Sequence, residues 1–174
     1  MTAFDHVGLR YATPRNFDRP TRGPRISKFS ELFTGRKFMP WQDDLAARAT
    51  EMHDDGTPVY PVVLTTVQRQ TGKSAFSLSK SAERCTSFPN SRCWYTAQTG
   101  YDARDQWKEF ANYVEQNDTP LNLITESLRG AGAEVMKFAN GSTLRPHPPT
   151  EKALHGKQSD ENDIDEGWAF TAAK

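Results

Sequence analysis

At 174 residues the chain suits one domain with a sizeable core, and it carries neither an apolar run of membrane-spanning length nor a signal peptide, so a soluble, cytoplasmic protein is expected. Twenty-two basic residues balance 22 acidic ones, which excludes a whole-chain attraction to nucleic acid and leaves only local patches for such a role. Charge is nevertheless uneven, basic at the start of the chain and acidic at its end.

The opening segment sets Arg10, Arg15, Arg19, Arg22, Arg25 and Lys28 among Pro14, Pro20 and Pro24, which reads as an extended or flexible basic arm over residues 1–30. Residues 41–53 then have helical spacing, with Leu45, Ala49 and Met52 on one side, and Asp54-Asp55-Gly56 ends the run. Residues 59–67 are rich in β-branched side chains and predict a buried strand. That strand runs into Gln68-Arg69-Gln70-Thr71-Gly72-Lys73-Ser74 and then into a helix over 75–85. Strand, turn and helix in this order are the setting of a phosphate-binding turn, whose backbone N–H groups and helix N-terminus face an anion. Lys73 is placed to reach the outer phosphates and Ser74 to hold Mg²⁺. The usual pattern has Gly five residues before Gly72, where this chain has Val67. An ordinary strand-to-helix turn with a solvated Lys is the competing reading.

Further along, residues 92–97 read as a short buried strand and 102–116 as an amphipathic helix that turns Trp107, Phe110 and Val114 to a core. Cys85 and Cys93 lack a second pair at metal-ligand spacing, so neither zinc nor a disulfide is expected. The four histidines, His6, His53, His147 and His155, are scattered. Residues 134–138 and 142–146 flank Ala139-Asn140-Gly141, and Asn-Gly between alternating runs is a strong hairpin signal. Near the end, Asp163-Ile164-Asp165-Glu166 offers an acidic pair that could divide the work of ATP hydrolysis, Asp165 holding Mg²⁺ and Glu166 orienting the attacking water. The whole stretch 159–166 is polar, however, and only Ile164 is apolar just before Asp165, so a solvated acidic loop stays open as an alternative. Helices alternating with buried strands imply an α/β fold with a mostly parallel sheet flanked by helices and one added hairpin. Any ligand would sit at the C-terminal edge of the strands.

The order Pro40-Trp41-Gln42, Arg69-Gln70-Thr71-Gly72-Lys73-Ser74, Asn140-Gly141-Ser142, His155-Gly156 and Asp165-Glu166-Gly167-Trp168 resembles the ATPase domain of the large terminase subunit of tailed bacteriophages, across residues 39–170. Loss of the first Gly, with Arg-Gln before the final Gly-Lys-Ser, is characteristic of that family's Walker A motif. The resemblance implies a P-loop NTPase of the ASCE type over 31–174, a motor that hydrolyses ATP with Mg²⁺ to drive double-stranded DNA into procapsids. It implies an adenine site at Trp41 and Gln42, whose amide can both donate and accept. It implies a phosphate loop of Gln68, Arg69, Gln70, Thr71, Gly72, Lys73 and Ser74, with Arg69 also acting on the γ-phosphate in cis. Mg²⁺ would lie between Ser74 and Asp165, and Glu166 would be the catalytic carboxylate of Walker B. The partners implied are double-stranded DNA, the portal protein, the small terminase subunit and further copies in a pentameric ring, in host cytoplasm and transiently at the portal vertex of the procapsid.

Two departures qualify the resemblance. Where many members carry an Arg-Gly whose arginine reaches a neighbouring subunit's site, this chain has His155-Gly156, and Lys157, Arg129 and Arg145 are the substitutes at hand. The coupling motif and nuclease domain that follow Walker B in the family have no counterpart up to Lys174, so the sequence reads as an incomplete ATPase core, with hydrolysis by these residues alone left open. A helicase-like P-loop ATPase would share the Gln, the loop and the Asp-Glu pair but needs a second motor lobe. A non-catalytic nucleotide-binding or assembly fragment is the other alternative.

Overall fold

The computed structural model describes residues 12–68, 70–117, 123–150 and 152–167. These fall into two compact units divided between Thr71 and Gly72.

The first unit is built on two helices, α1 (Gly23–Thr34) and α2 (Pro40–Ala49). Ile26, Phe29 and Phe33 recur at helical spacing on α1 and are buried, and the rings of Phe29 and Phe33 stack with centroids 4.3 Å apart. The basic arm expected over residues 1–30 is therefore helical from Gly23, because an apolar stripe of period 3.6 runs between its charges. Gly23 is where α1 meets α2 most closely: a Cβ there would lie 2.6 Å from the Ala47 backbone. The Thr21 hydroxyl, which accepts the Gly23 N–H, donates to Ala47 O at 2.7 Å and so holds the crossing. Glu51, almost fully buried, gathers the Asn16 N–H, the Arg19 guanidinium and the Tyr60 hydroxyl at 2.9, 3.5 and 3.4 Å.

The strand expected over residues 59–67 does not form. Residues 62–68 have no regular secondary structure, and Val62, Val63 and Leu64 face solvent. A β-branched run favours a pleated backbone, but a strand exists only when a neighbour takes up its N–H and C=O groups. Here the pairing is confined to an isolated bridge between Met52 and Pro58, and Pro61 removes one of the donors that a ladder would need.

The second unit is α/β. Its elements run α3 (Lys73–Ser87), β1 (Arg92–Thr96), α4 (Gly100–Gln116), β2 (Ile124–Leu128), β3 (Val135–Phe138), β4 (Thr143–Pro146) and β5 (Glu161–Ile164). The strands make one open mixed sheet in the order β2-β3-β4-β1-β5, in which β1 pairs parallel with both β4 and β5 while β2, β3 and β4 form an antiparallel meander. The hairpin at Asn140-Gly141 is present, with Gly141 at φ 84° and Phe138 N–H bonded to Ser142 O. Its tip is tied to the end of α3, since the Asn140 amide donates to Cys85 O at 2.8 Å and a Cβ on Gly141 would meet Asn90 Oδ1 at 2.5 Å. β2, unmarked in the sequence, adds an edge whose alternation is mostly polar. Helix α4 is capped by Thr99, whose side chain accepts the Asp102 N–H, and buries Ala103, Trp107, Phe110, Ala111 and Val114.

Both α3 and α4 cover the same face of the sheet. Tyr95 of β1 and Asp163 of β5 are register partners and so point to one side. Ser81 of α3 reaches Asp163 there, and Gln106 of α4 reaches Tyr95.

Candidate functional site

Gly72 adopts the left-handed conformation, φ 87°, and so turns the chain sharply into α3, whose first residue is Lys73. The N–H groups of the first helical turn have no intrahelical acceptor, and the 15-residue helix points its positive end at this spot. On the sheet side, Asp165 follows β5 directly, its N–H donating to Thr96 O at 2.9 Å. The two places converge at the C-terminal ends of β1 and β5, where open α/β sheets place their ligands.

The contacts are specific. Ser74 Oγ donates to Asp165 Oδ2 at 2.6 Å, joining residues 91 apart in sequence. Lys73 Nζ lies 3.9 Å from Asp165 Oδ1 and 3.8 Å from Glu166 Oε1. Asp165 Oδ1 also accepts the Glu166 N–H at 2.9 Å. Glu166 itself sits at φ 55°, a region that a residue with a Cβ enters at a cost of about 1 kcal/mol, so its carboxylate is held toward Lys73 against backbone preference. Tyr95 lies beneath this cluster, fully buried, with its hydroxyl 3.2 Å from Asp165 Oδ2 and in contact with Gln106. Burial and the Asp165 charge push the Tyr95 phenol well above its ordinary pKa.

The polar character of β5 has a structural explanation. Glu161 and Asp163 alternate with Asn162 and Ile164, and the acidic pair faces α3. The Ser81 hydroxyl lies 2.8 Å from Glu161 and 2.5 Å from Asp163, with one proton to give between them, and Lys80 Nζ lies 3.2 Å from Glu161 and 2.9 Å from Asp163. Burial opposes the Lys80 charge, but Asp163 and Glu161 outweigh it and hold the ammonium above its usual value. Burial in turn pushes the Asp163 carboxyl up against the pull of Lys80. A strand that reads as a solvated acidic loop is thus one whose carboxylates are matched by a helix. The signal was present as a pair of spacings: Ser74 and Ser81 are seven apart, two turns of one helix face, and Glu161, Asp163 and Asp165 alternate on one strand face.

Gln42 lies in the first unit and is buried, its carboxamide oxygen accepting the Met39 N–H at 2.8 Å, which is the reciprocal half of a helix cap at the start of α2. Trp41 is half-buried beside it in sequence. Gln68 and Gln70 are exposed, Gln70 at φ 59°, and the Thr71 hydroxyl donates to Gln68 O at 2.8 Å. Arg69 and Trp168 lie outside the described residues. His155 and Lys157 are exposed in the turns before β5, Arg145 is half-buried on β4, and Arg129 pairs with Glu115 of α4 at 2.7 Å.

The donor set at Ser74 and Asp165 is hard oxygen, which fits Mg²⁺. Among the described residues no group of three or more His, Cys, Asp or Glu could hold a metal ion by itself, so a cation there would complete its shell with water and phosphate oxygens. No helix among the described residues is long and apolar enough to cross a membrane. Compared with protein-family models, curated proteins and solved structures, the chain matches none.

Proposed function

We propose that the cluster of Lys73, Ser74, Asp165 and Glu166 is the catalytic half of a Mg²⁺-dependent ATPase site of the P-loop type, in a DNA-packaging motor subunit resembling the large terminase subunit. The observation that carries this reading is the 2.6 Å hydrogen bond between Ser74 and Asp165, which joins two residues 91 apart in sequence that a shared Mg²⁺ would require. Bound Mg²⁺ would supply charge neutralisation for the phosphates. The chain's own residues supply the rest. The α3 N-terminus and Lys73 attract the phosphates, Ser74 and Asp165 hold the cation, and Glu166 accepts a proton from water.

Lys73 stands between two carboxylates, so the three side chains together carry one net negative charge. A polyphosphate alone would be repelled, and the cation is what makes its entry favourable. Nucleotide binding is therefore expected to be steeply Mg²⁺-dependent and lost in Lys73→Ala; equal affinity in that variant removes the phosphate assignment. ATP turnover is expected to vanish in Glu166→Ala while Mg²⁺-dependent binding remains. The exposed, unpaired run 62–68 favours a second reading, nucleotide binding without turnover, because the strand that should brace the loop is not formed. Equal background rates in wild type and Glu166→Ala would decide for it. Translocation of double-stranded DNA, a ring of copies, and contacts to a portal and small subunit belong to the same proposal through the resemblance, with DNA engaged at its phosphates.

A further inference from the structure

Tyr95 is the penultimate residue of β1, and none of its surface is exposed. A Phe would fill the same space at lower cost, since a buried hydroxyl must find partners. Here it finds two: its oxygen lies 3.2 Å from Asp165 Oδ2, the same oxygen that accepts Ser74 Oγ, and it contacts the Gln106 carboxamide on α4. A phenol has one proton to give: donated to Asp165, it leaves the phenol lone pairs to accept from the Gln106 carboxamide, whose two ends are exchanged by a half-turn that brings its NH₂ to the phenol. With the Glu166 N–H on Oδ1, both oxygens of Asp165 are engaged, and the carboxylate has a single orientation.

We propose that Tyr95 is a positioning residue for Asp165: its phenol, anchored by Gln106, fixes the carboxylate that a Mg²⁺ ion would share with Ser74, and so sets the affinity of the site for the cation. The inference rests on the Mg²⁺-nucleotide reading above. Outer partners of metal-binding carboxylates commonly change metal affinity by about 10- to 100-fold when removed. Tyr95→Phe deletes the oxygen and keeps the ring.

Two measurements on the full chain test it. In ligand-free protein labelled at tyrosine ¹³Cζ, the Tyr95 resonance, identified by its loss in Tyr95→Phe, is expected to move in Asp165→Ala and to stay in Glu166→Ala; no movement in Asp165→Ala overturns the contact itself, whatever the ligand. In a Mg²⁺ titration of binding to a fluorescent ATP analogue, the half-saturating Mg²⁺ concentration is expected to rise about tenfold in Tyr95→Phe, and to rise less in Gln106→Leu. A structural loss alone would lower the unfolding midpoint and the amount of active protein without moving the Mg²⁺ midpoint. Mg²⁺-dependent binding in wild type with an unchanged midpoint in Tyr95→Phe defeats the positioning role and leaves the site standing. No Mg²⁺-dependent binding in wild type defeats both.

Discussion

Glu166 carries the clearest trade between backbone and chemistry. Its left-handed φ of 55° is a conformation that glycine adopts freely and other residues resist by about 1 kcal/mol. The side chain that this conformation aims at Lys73 is the one assigned to water activation. Two variants separate strain from function. Glu166→Gly and Glu166→Ala both lose the carboxylate, so both are expected to lose turnover, yet the glycine variant is expected to be more stable than the alanine variant by about 1 kcal/mol. Urea denaturation of the two proteins measures the difference, and an alanine variant as stable as the glycine one would show that Glu166 does not hold the left-handed turn in solution. The turn at Gly72 into α3 was legible from sequence because a Gly-Lys-Ser string before a helix prescribes a local geometry. Tyr95 was not, since a buried aromatic in a strand reads as core and only the fold reveals what its hydroxyl meets.

Among the elements, β5 depends on α3 more than its sequence indicates. Lys80 pairs with both Glu161 and Asp163 from a side chain that is 17% exposed. Removing the cation leaves two carboxylates facing a packed helix, and Lys80→Met is expected to cost about 2 kcal/mol, below the full penalty for a buried pair because some water reaches the site. The pH dependence follows from the direction of the shifts. Lys80 is held above its usual value, so its contribution persists through neutral pH and is lost only as pH rises through that raised value. Asp163 is raised above its ordinary 3.8, chiefly by burial, so its protonated form favours the folded chain and its stabilising contribution disappears as pH rises through the folded value. Without Lys80 the carboxyl would be raised further. The gap between wild type and Lys80→Met in urea midpoint is expected to be widest at neutral pH and to close as pH falls toward 3.8; a gap that ignores pH would mean that Lys80 acts through its packed stem alone. Elements with a strong period, α2, α3, α4 and the β3-β4 hairpin, were readable as such. The segment 59–67 misled because β-propensity describes a residue's fit to a sheet and says nothing about whether a neighbouring strand is there to pair with it.

For the molecule as a whole, the consequence of that unformed strand is an exposed apolar run leading straight into the proposed phosphate loop. Val62 and Leu64 are 83% and 92% exposed, and neither they nor Val63 belong to a helix or strand. A protease that cuts before large aliphatic residues, such as thermolysin, should therefore cut readily at 62–64, since exposed irregular backbone is where nicking concentrates. Such an enzyme grips several residues on each side of the bond, and the downstream side runs toward residues 68–74. If Lys73 and Ser74 take hold of a nucleotide, the loop loses the freedom to extend into the protease, and ligand binding lowers the population of the cleavable state by mass action. At a nucleotide concentration 100 times its dissociation constant the protection could approach about 100-fold where cutting requires the loop to open. Mg²⁺ and ATP together are thus expected to slow cleavage at 62–64 in wild type, ATP without Mg²⁺ to do little because Lys73 is already matched by two carboxylates, and neither to slow it in Lys73→Ala. The fragment pattern over time, read by mass spectrometry, gives the result, and equal cleavage rates with and without Mg²⁺ and ATP would separate the exposed run from any nucleotide site at its end.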